Sequence, residues 1–164
     1  MMRKQHIHIL GQTPAGWQKA LTELQQELGY VSADDGIEIQ CVQGNDLRVE
    51  SDGRTVTLTW AAPVQFYRAL SLIPQPLAAC SVHEEARFET CGVMFDCSRN
   101  AVLKPEGLHY ILRKMALMGL NLGMMYTEDT YEVPEQPFFG YKRGRYSYEE
   151  LKALDDYADL FGIE

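Results

Sequence analysis

The sequence predicts an α/β protein in two parts: a small mixed-sheet N-terminal domain over residues 1–89, then an incomplete (β/α) barrel segment over residues 90–164. Three observations predict it. In the first part apolar residues alternate with period two, as in His6-Ile7-His8-Ile9-Leu10, between stretches of helical spacing. In the second, two apolar strands are each followed by an amphipathic helix, the order that builds a parallel sheet. Both of these strands stop in polar clusters, Asp96-Cys97-Ser98-Arg99-Asn100 and Tyr126-Thr127-Glu128-Asp129. A parallel barrel presents its working face at the C-terminal strand ends, so these clusters read as ligand contacts.

The first part reads β-α-β-β-α-β. After the strand at 6–10, Pro14 opens a helix on which Trp17, Ala20, Leu21, Leu24 and Leu28 recur at helical spacing, and Gly29 closes it. Ile37 to Val42 alternates as a second strand. Leu47 to Glu50 and Arg54 to Trp60 flank Asp52-Gly53, a hairpin signal, and should pair antiparallel. Pro63 starts a helix carrying Phe66, Tyr67, Leu70 and Ile73, which stops before Pro74-Gln75-Pro76. A strand follows from Val82 to Phe88. The result is a mixed sheet with two helices on one face, large enough to bury a modest core.

The boundary falls near Glu89, where the period changes. Cys91-Gly92-Val93-Met94-Phe95 is a continuous apolar run, which suits a strand buried on both faces of a parallel sheet. Pro105 begins a helix with Leu108, Ile111, Leu112, Met115 and Ala116 on one stripe, and Gly119 ends it. Leu120 to Tyr126 forms the next strand. A long loop containing Pro134, Pro137 and Gly140 then reaches Ser147-Tyr148-Glu149-Glu150, a capping box, and Leu151, Leu154, Ala158 and Phe161 mark the second barrel helix. A closed eight-stranded barrel needs ~250 residues, so the sequence is expected to supply only part of one.

Composition narrows the function classes. With 46% hydrophobic and 23% charged residues the chain reads as an ordinary globular protein. A net charge of −8 argues against a nucleic-acid partner, which would need clustered Lys and Arg. The apolar stretches are interrupted well before the ~18 residues of a transmembrane helix, and no signal peptide is evident, so a membrane partner is not expected and a cytoplasmic location is. Cys41, Cys80, Cys91 and Cys97 lack C-x-x-C spacing and a nearby His, and read as reduced thiols. His6 and His8 share one side of a strand without a third ligand in view, so neither a metal nor a cofactor is expected.

Asp96 and Arg99 stand three residues apart just past a buried strand. Arg99 could present its planar fork of donors to ligand hydroxyls or a carboxylate, with Asp96 fixing its orientation; a structural ion pair bracing the strand end is the alternative. Glu128 and Asp129 are adjacent acids whose side chains alternate in direction, so at most one points into the barrel mouth. Glycosidic acid-base pairs stand ~5 to 9 Å apart across the sugar, a spacing that neighbours on one strand do not provide. Contacts to sugar hydroxyls, or pairing with a nearby Arg or Lys, suit them better. The loop from Tyr131 to Tyr146 mixes aromatics (Phe138, Phe139, Tyr141, Tyr146) with cations (Lys142, Arg143, Arg145). That mixture fits carbohydrate stacking or loop packing; packing is expected for most of it, with Tyr131 and Arg143 kept as candidates. Ser98 lacks a G-x-S-x-G elbow, which excludes a serine hydrolase.

Three stretches carry a family resemblance: Gly92-Val93-Met94-Phe95-Asp96-Cys97-Ser98-Arg99-Asn100, Met118-Gly119-Leu120-Asn121, and Tyr126-Thr127-Glu128-Asp129-Thr130-Tyr131-Glu132. They resemble the opening of the catalytic TIM barrel of glycoside hydrolase family 20, the β-N-acetylhexosaminidases. Phe139-Gly140-Tyr141 and Arg143-Gly144-Arg145-Tyr146 extend the match. In that family an α/β domain precedes the barrel, as in residues 1–89 here. The resemblance implies removal of terminal N-acetylhexosamine from glycans by substrate-assisted retaining hydrolysis. In that mechanism an Asp orients the acetamido group and a neighbouring Glu protonates the leaving oxygen. That pair follows a later barrel strand, outside this sequence, so no catalytic residue is expected here and the chain alone is expected to be inactive. By resemblance Arg99 matches the arginine that binds hydroxyls of the terminal sugar and Asp96 the acid preceding it. Glu128 and Asp129 match an acidic pair after the second strand.

Three readings follow. The first is the N-terminal portion of a hexosaminidase-like glycoside hydrolase whose partner is the terminal N-acetylhexosamine of glycans. The second is a non-catalytic carbohydrate-binding or assembly module, and the third a small enzyme in which Asp96, Glu128 and Asp129 converge on one ligand or metal. The unpaired edge of the second barrel strand is also expected to promote self-association.

Overall fold

The computed structural model describes residues 4–99 and 102–164. Asn100, part of the first polar cluster, lies outside the described residues. Eight strands and four helices follow in the order β1 (Gln5–Gly11), α1 (Trp17–Leu28), β2 (Tyr30–Ser32), β3 (Ile37–Gln43), β4 (Leu47–Asp52), β5 (Val56–Trp60), α2 (Pro63–Leu72), β6 (Ala79–Glu84), β7 (Gly92–Asp96), α3 (Pro105–Met118), β8 (Leu122–Tyr126) and α4 (Tyr148–Asp159).

The first six strands form one mixed sheet in the order β2-β1-β3-β5-β4-β6. β2, β1, β3 and β5 run parallel, while β4 pairs antiparallel with β5 and β6. The hairpin at Asp52-Gly53 is tied by Asp52 Oδ1, which accepts from the backbone N–H of Arg54 (2.8 Å) and Thr55 (2.9 Å). Alternate residues Ile7, Ile9, Ile39, Cys41, Leu47, Val49, Val56, Leu58 and Trp60 are buried, and the residues between them are exposed or half-buried. The sheet thus buries one face, which receives Ala20, Leu21, Leu24 and Leu28 of α1 and Val64, Phe66, Tyr67, Ala69 and Leu70 of α2.

Four strands stand between α1 and α2, one more than the three segments expected there, which the β-α-β-β-α-β order itself condenses to two. β2 directly follows Gly29, which caps α1 in the left-handed conformation at φ 70°, so the chain turns into a strand with no loop to announce it. Gly16, also left-handed, delays α1 to Trp17. The last strand of the sheet ends at Glu84 rather than Phe88, because its register runs out at the Leu47↔Glu84 pair with β4.

β7 and β8 form a separate two-stranded parallel sheet in the register Gly92↔Leu122 to Asp96↔Tyr126. Burial of β7 on both faces is not observed: Met94 is 63% exposed and Met124 about half exposed. Only the face of Phe95 and Met125 is covered. There Leu108 and Leu112 of α3 and Leu151, Leu154 and Ala158 of α4 close around a cavity of about 140 Å³. The apolar run suits burial on both faces, but among the described residues β7 has only β8 beside it and one face remains open. Glu164 makes the contacts a further strand beside β8 would make, donating its N–H to Asn121 O (3.0 Å) and accepting at its carbonyl from Gly123 N (2.7 Å).

Caps set the second-half helices. Pro105 occupies the first turn of α3, and Gly119, left-handed at φ 76°, stops it. The Ser147 hydroxyl accepts from Glu150 N (3.1 Å) while the Glu150 carboxylate accepts from Ser147 N (2.9 Å), a complete capping box for α4.

The two sheets are joined by one continuous set of buried side chains. Phe161, fully buried after α4, meets Tyr67 of α2 edge-on at 5.6 Å and Tyr157 at 5.3 Å. The Tyr67 hydroxyl donates to Leu160 O at 2.9 Å. Truncating such an aromatic costs about 3–5 kcal/mol. A polar clasp reinforces this contact. Arg113 of α3 donates through Nε to Glu27 Oε1 of α1 (2.8 Å) and through Nη1 to the Tyr157 hydroxyl of α4 (3.0 Å), which donates to Glu23 Oε2 (3.0 Å). Partial burial opposes the charge of Arg113, but the bonds to Glu27 and Tyr157 outweigh it and raise its pKa above the ordinary arginine value.

Candidate functional site

At the C-terminal end of β7, Asp96 is the centre of a small hydrogen-bonded turn. Its Oδ1 accepts from the backbone N–H of Ser98 (3.0 Å) and the Ser98 hydroxyl (2.7 Å), and its Oδ2 from Arg99 Nη1 (3.2 Å). The Ser98 bonds, with a lesser contribution from the charge of Arg99, hold the Asp96 carboxyl below its ordinary value against an opposing desolvation. Ser98 is fully buried, whereas Asp96 and Arg99 face solvent. The carboxylate is thus anchored from inside while its partner guanidinium projects outward.

Parallel register brings the second strand end beside the first. Asp96 is the partner of Tyr126, and Arg99 Cζ lies 5.9 Å from the centroid of the Tyr126 ring. The Tyr126 hydroxyl donates to Glu128 Oε1 at 3.0 Å, and this bond to a carboxylate raises the phenol pKa. Glu128 adopts a left-handed backbone at φ 49°, which turns the chain back toward Tyr126. Asp96, Arg99, Tyr126 and Glu128 therefore form one exposed chain of alternating charge and hydrogen bonds at the ends of both strands.

Asp129 points elsewhere. Its Oδ1 lies 3.2 Å from Arg143 Nη1 without an aligned hydrogen bond, so the contact is an ion pair only. Gly140, left-handed at φ 65°, seats the loop here: a Cβ at that position would run into the Asp129 carbonyl oxygen. Thr130, fully buried, donates its hydroxyl to the carbonyls of Cys97 (2.9 Å) or Thr127 (2.8 Å), and Cys97 N donates to Tyr126 O (2.9 Å). These bonds lock the two strand ends together.

In the loop, Tyr131 meets Phe139 edge-on at 5.2 Å, and the Tyr146 hydroxyl donates to Leu103 O. Phe138 and Tyr141 do not pack: they are 82% and 65% exposed, contrary to the expectation of packing for most of the loop aromatics. The alternating turn geometry of residues 133–143 sends them outward while their neighbour Phe139 turns in.

Convergence of Asp96, Glu128 and Asp129 is not observed; each has a different partner, and among the described residues no three His, Cys, Asp or Glu side chains gather as a metal site. His6 instead approaches Asp35, with 3.1 Å between Nδ1 and Oδ1. A groove of about 320 Å³ lies at the opposite end of β7 and β8, between the Arg68–Glu84 ion pair and Phe88, Cys91 and Asn121. That end of a parallel sheet serves stability rather than ligand contact. The sequence places Tyr126 in the second polar cluster but gives it no role of its own, because its link between Arg99 and Glu128 depends on the cross-strand register; the Glu23–Glu27–Arg113–Tyr157 clasp was missed altogether. Glu23 and Glu27, one helical turn apart beside the apolar stripe of α1, were the available signal for the clasp.

The fold is similar to part of several solved glycosidase structures. The exo-β-N-acetylglucosaminidase of Vibrio harveyi, solved with N-acetylglucosamine, superposes with a TM-score of 0.76 at 16% identity, covering 99% of this chain and 32% of that one. Streptomyces plicatus N-acetyl-β-hexosaminidase gives 0.74 at 17% identity, with 100% and 41% covered. The Flavobacterium johnsoniae chitobiase gives 0.73 at 17%, with 99% and 31% covered. At these identities the likeness is one of fold, and the chain spans less than half the length of each structure. No family model matches the sequence, and no curated protein matches it. The fold expected from the resemblance to glycoside hydrolase family 20 is the fold observed. Among the described residues no helix is long and apolar enough to cross a membrane.

Proposed function

We propose that this chain is the N-terminal portion of a β-N-acetylhexosaminidase-like glycoside hydrolase and holds part of the site for a terminal N-acetylhexosamine. The observation that supports it best is the Asp96–Arg99 pair. Asp96 is anchored by buried Ser98 and takes one Nη of the guanidinium, and among the described residues the other Arg99 donors have no protein acceptor. Vicinal sugar hydroxyls match that planar fork, and Tyr126 and Glu128 offer a hydroxyl and a carboxylate beside it. The implied reaction is substrate-assisted. The acetamido oxygen attacks the anomeric carbon, the glycosidic C–O bond breaks, and the leaving oxygen takes a proton from a Glu that lies outside this sequence. This chain contributes binding contacts and no proton transfer.

Calorimetric titration with N-acetylglucosamine tests the proposal. Binding that disappears in Arg99→Ala supports it, and equal heats from both proteins count against it.

A second reading, a non-catalytic carbohydrate-binding or assembly module, draws on the β8 edge, where Glu164 already hydrogen-bonds as an added strand would. A chain that associates and binds sugar without any complementing polypeptide would favour it.

A further inference from the structure

Glu128 and Asp129 are the two central residues of a tight turn, and Thr130 closes it. The backbone N–H of Thr130 donates to Thr127 O at 3.0 Å, so the chain reverses across the two acids. Glu128 takes φ 49°, a left-handed backbone that a residue other than glycine adopts only at a cost. Strain of this kind persists where the surrounding contacts hold it.

Thr130, fully buried, makes those contacts. Its hydroxyl lies 2.8 Å from Thr127 O and 2.9 Å from Cys97 O. Thr127 O already accepts from the Thr130 N–H, which leaves the single hydroxyl proton for Cys97 O, the carbonyl just past β7. On its other side Thr130 O accepts from Tyr146 N at 3.0 Å, and Glu132 N donates to Tyr146 O at 3.0 Å. Thr130 is therefore fixed at once to the end of β7, to the turn and to the far end of the loop.

The turn sends the two acids apart. Glu128 accepts from the Tyr126 hydroxyl at 3.0 Å, beside Arg99, whereas Asp129 lies 3.2 Å from Arg143. The backbone at residue 128 thus decides which acid joins the group at the strand ends.

We infer that Thr130 is a positioning residue of the strand-end site: by tying the turn to Cys97 O it holds Glu128 in its left-handed backbone and keeps the Tyr126–Glu128 pair beside Arg99. The inference rests on the proposed sugar site and adds a residue that sets its geometry without touching the sugar. The position requires the hydroxyl and not merely a buried branched side chain. Valine has nearly the same shape, but it takes this donor away from Cys97 O and frees the turn to relax at residue 128.

The test compares Thr130→Val and Thr130→Ser with the wild-type chain by two readouts: the Tyr126 phenol midpoint, from NMR of tyrosine-labelled protein, and calorimetric titration with N-acetylglucosamine. The bond to Glu128 holds the Tyr126 midpoint above its ordinary value, so a relaxed turn should lower it. In Thr130→Val we expect that fall together with about fivefold weaker sugar binding, while Thr130→Ser keeps both wild-type values. A wild-type midpoint in folded Thr130→Val overturns the inference, because lost packing would weaken the fold without moving the phenol. Equal losses in the serine and valine variants overturn it too, since the hydroxyl would then not be the group that matters. Should Thr130→Val not fold, Thr130→Val/Glu128→Gly should recover the fold, because glycine takes the backbone at 128 without strain; a double variant that stays unfolded counts against the inference. A wild-type chain that binds no sugar overturns the sugar site, and the phenol midpoint then still decides whether Thr130 holds Glu128.

Discussion

Asp96 and Tyr126 are register partners at the C-terminal ends of β7 and β8, so the arginine held by the first lies over the ring of the second. The polar chain from Arg99 to Glu128 follows from this adjacency. Asp96 anchors Arg99, Tyr126 lies beneath it, and the Tyr126 hydroxyl carries the chain on to Glu128.

The anchoring can be read as a titration. Asp96 should titrate below the ordinary ~3.9, with the Ser98 bonds as the larger cause and Arg99 as the smaller. Because the folded value is depressed, the tether is fully present above the ordinary carboxylate range and is lost as pH falls through the depressed value. Carboxyl NMR should show Ser98→Ala raising the Asp96 midpoint more than Arg99→Ala does. The reverse order would mean that the ion pair, and not the buried serine, sets the site.

The clasp between α1, α3 and α4 predicts a stability pattern. Arg113→Met leaves Glu27, whose side chain is only 6% exposed, with Lys114 at 4.0 Å as its remaining cationic neighbour. After allowance for the partial exposure of Arg113, the cost should be about 2–3 kcal/mol in urea unfolding. Glu27→Gln added to Arg113→Met should restore part of it, since the amide is cheaper to leave without an ionic partner. Additive losses in the double variant would show that the two groups act independently.

No hydrolysis of a chromogenic N-acetylglucosaminide is expected from this chain, because the proposed general acid lies outside its sequence. Turnover that vanishes in Arg99→Ala would overturn this and assign chemistry to residues present here.

Association is expected at micromolar concentration through the β8 edge and the exposed Met94–Met124 face. Light scattering should find species larger than 18.7 kDa. Charged substitution of the two exposed methionines, Met94→Lys with Met124→Lys, should shift the population toward the monomer. A wild-type monomer over that range would contradict the expectation.

Much of the fold was legible where local chemistry decides it. Pro105 and Gly119 bound α3, Ser147 with Glu150 caps α4, and Asp52-Gly53 marks the β4–β5 turn. β2 was not legible, since three residues immediately after a cap carry too little pattern to separate from a loop. The burial of β7 was misjudged because an apolar run reports what a strand is suited to contact and not which neighbours are present. At the site, Asp96 and Arg99 could be paired from a spacing of three residues. Tyr126 could not, because its role is set by register with a strand 30 positions earlier. The outward turn of Phe138 and Tyr141 depends on the conformation of a loop whose composition permitted either outcome.

The most direct measurement is backbone-amide NMR of the chain during addition of N-acetylglucosamine. We expect shifts confined to Asp96–Arg99 and Tyr126–Asp129, saturating with sugar and absent in Arg99→Ala. Shifts located elsewhere, or a spectrum that sugar leaves unchanged, would contradict a terminal-sugar site at the ends of β7 and β8.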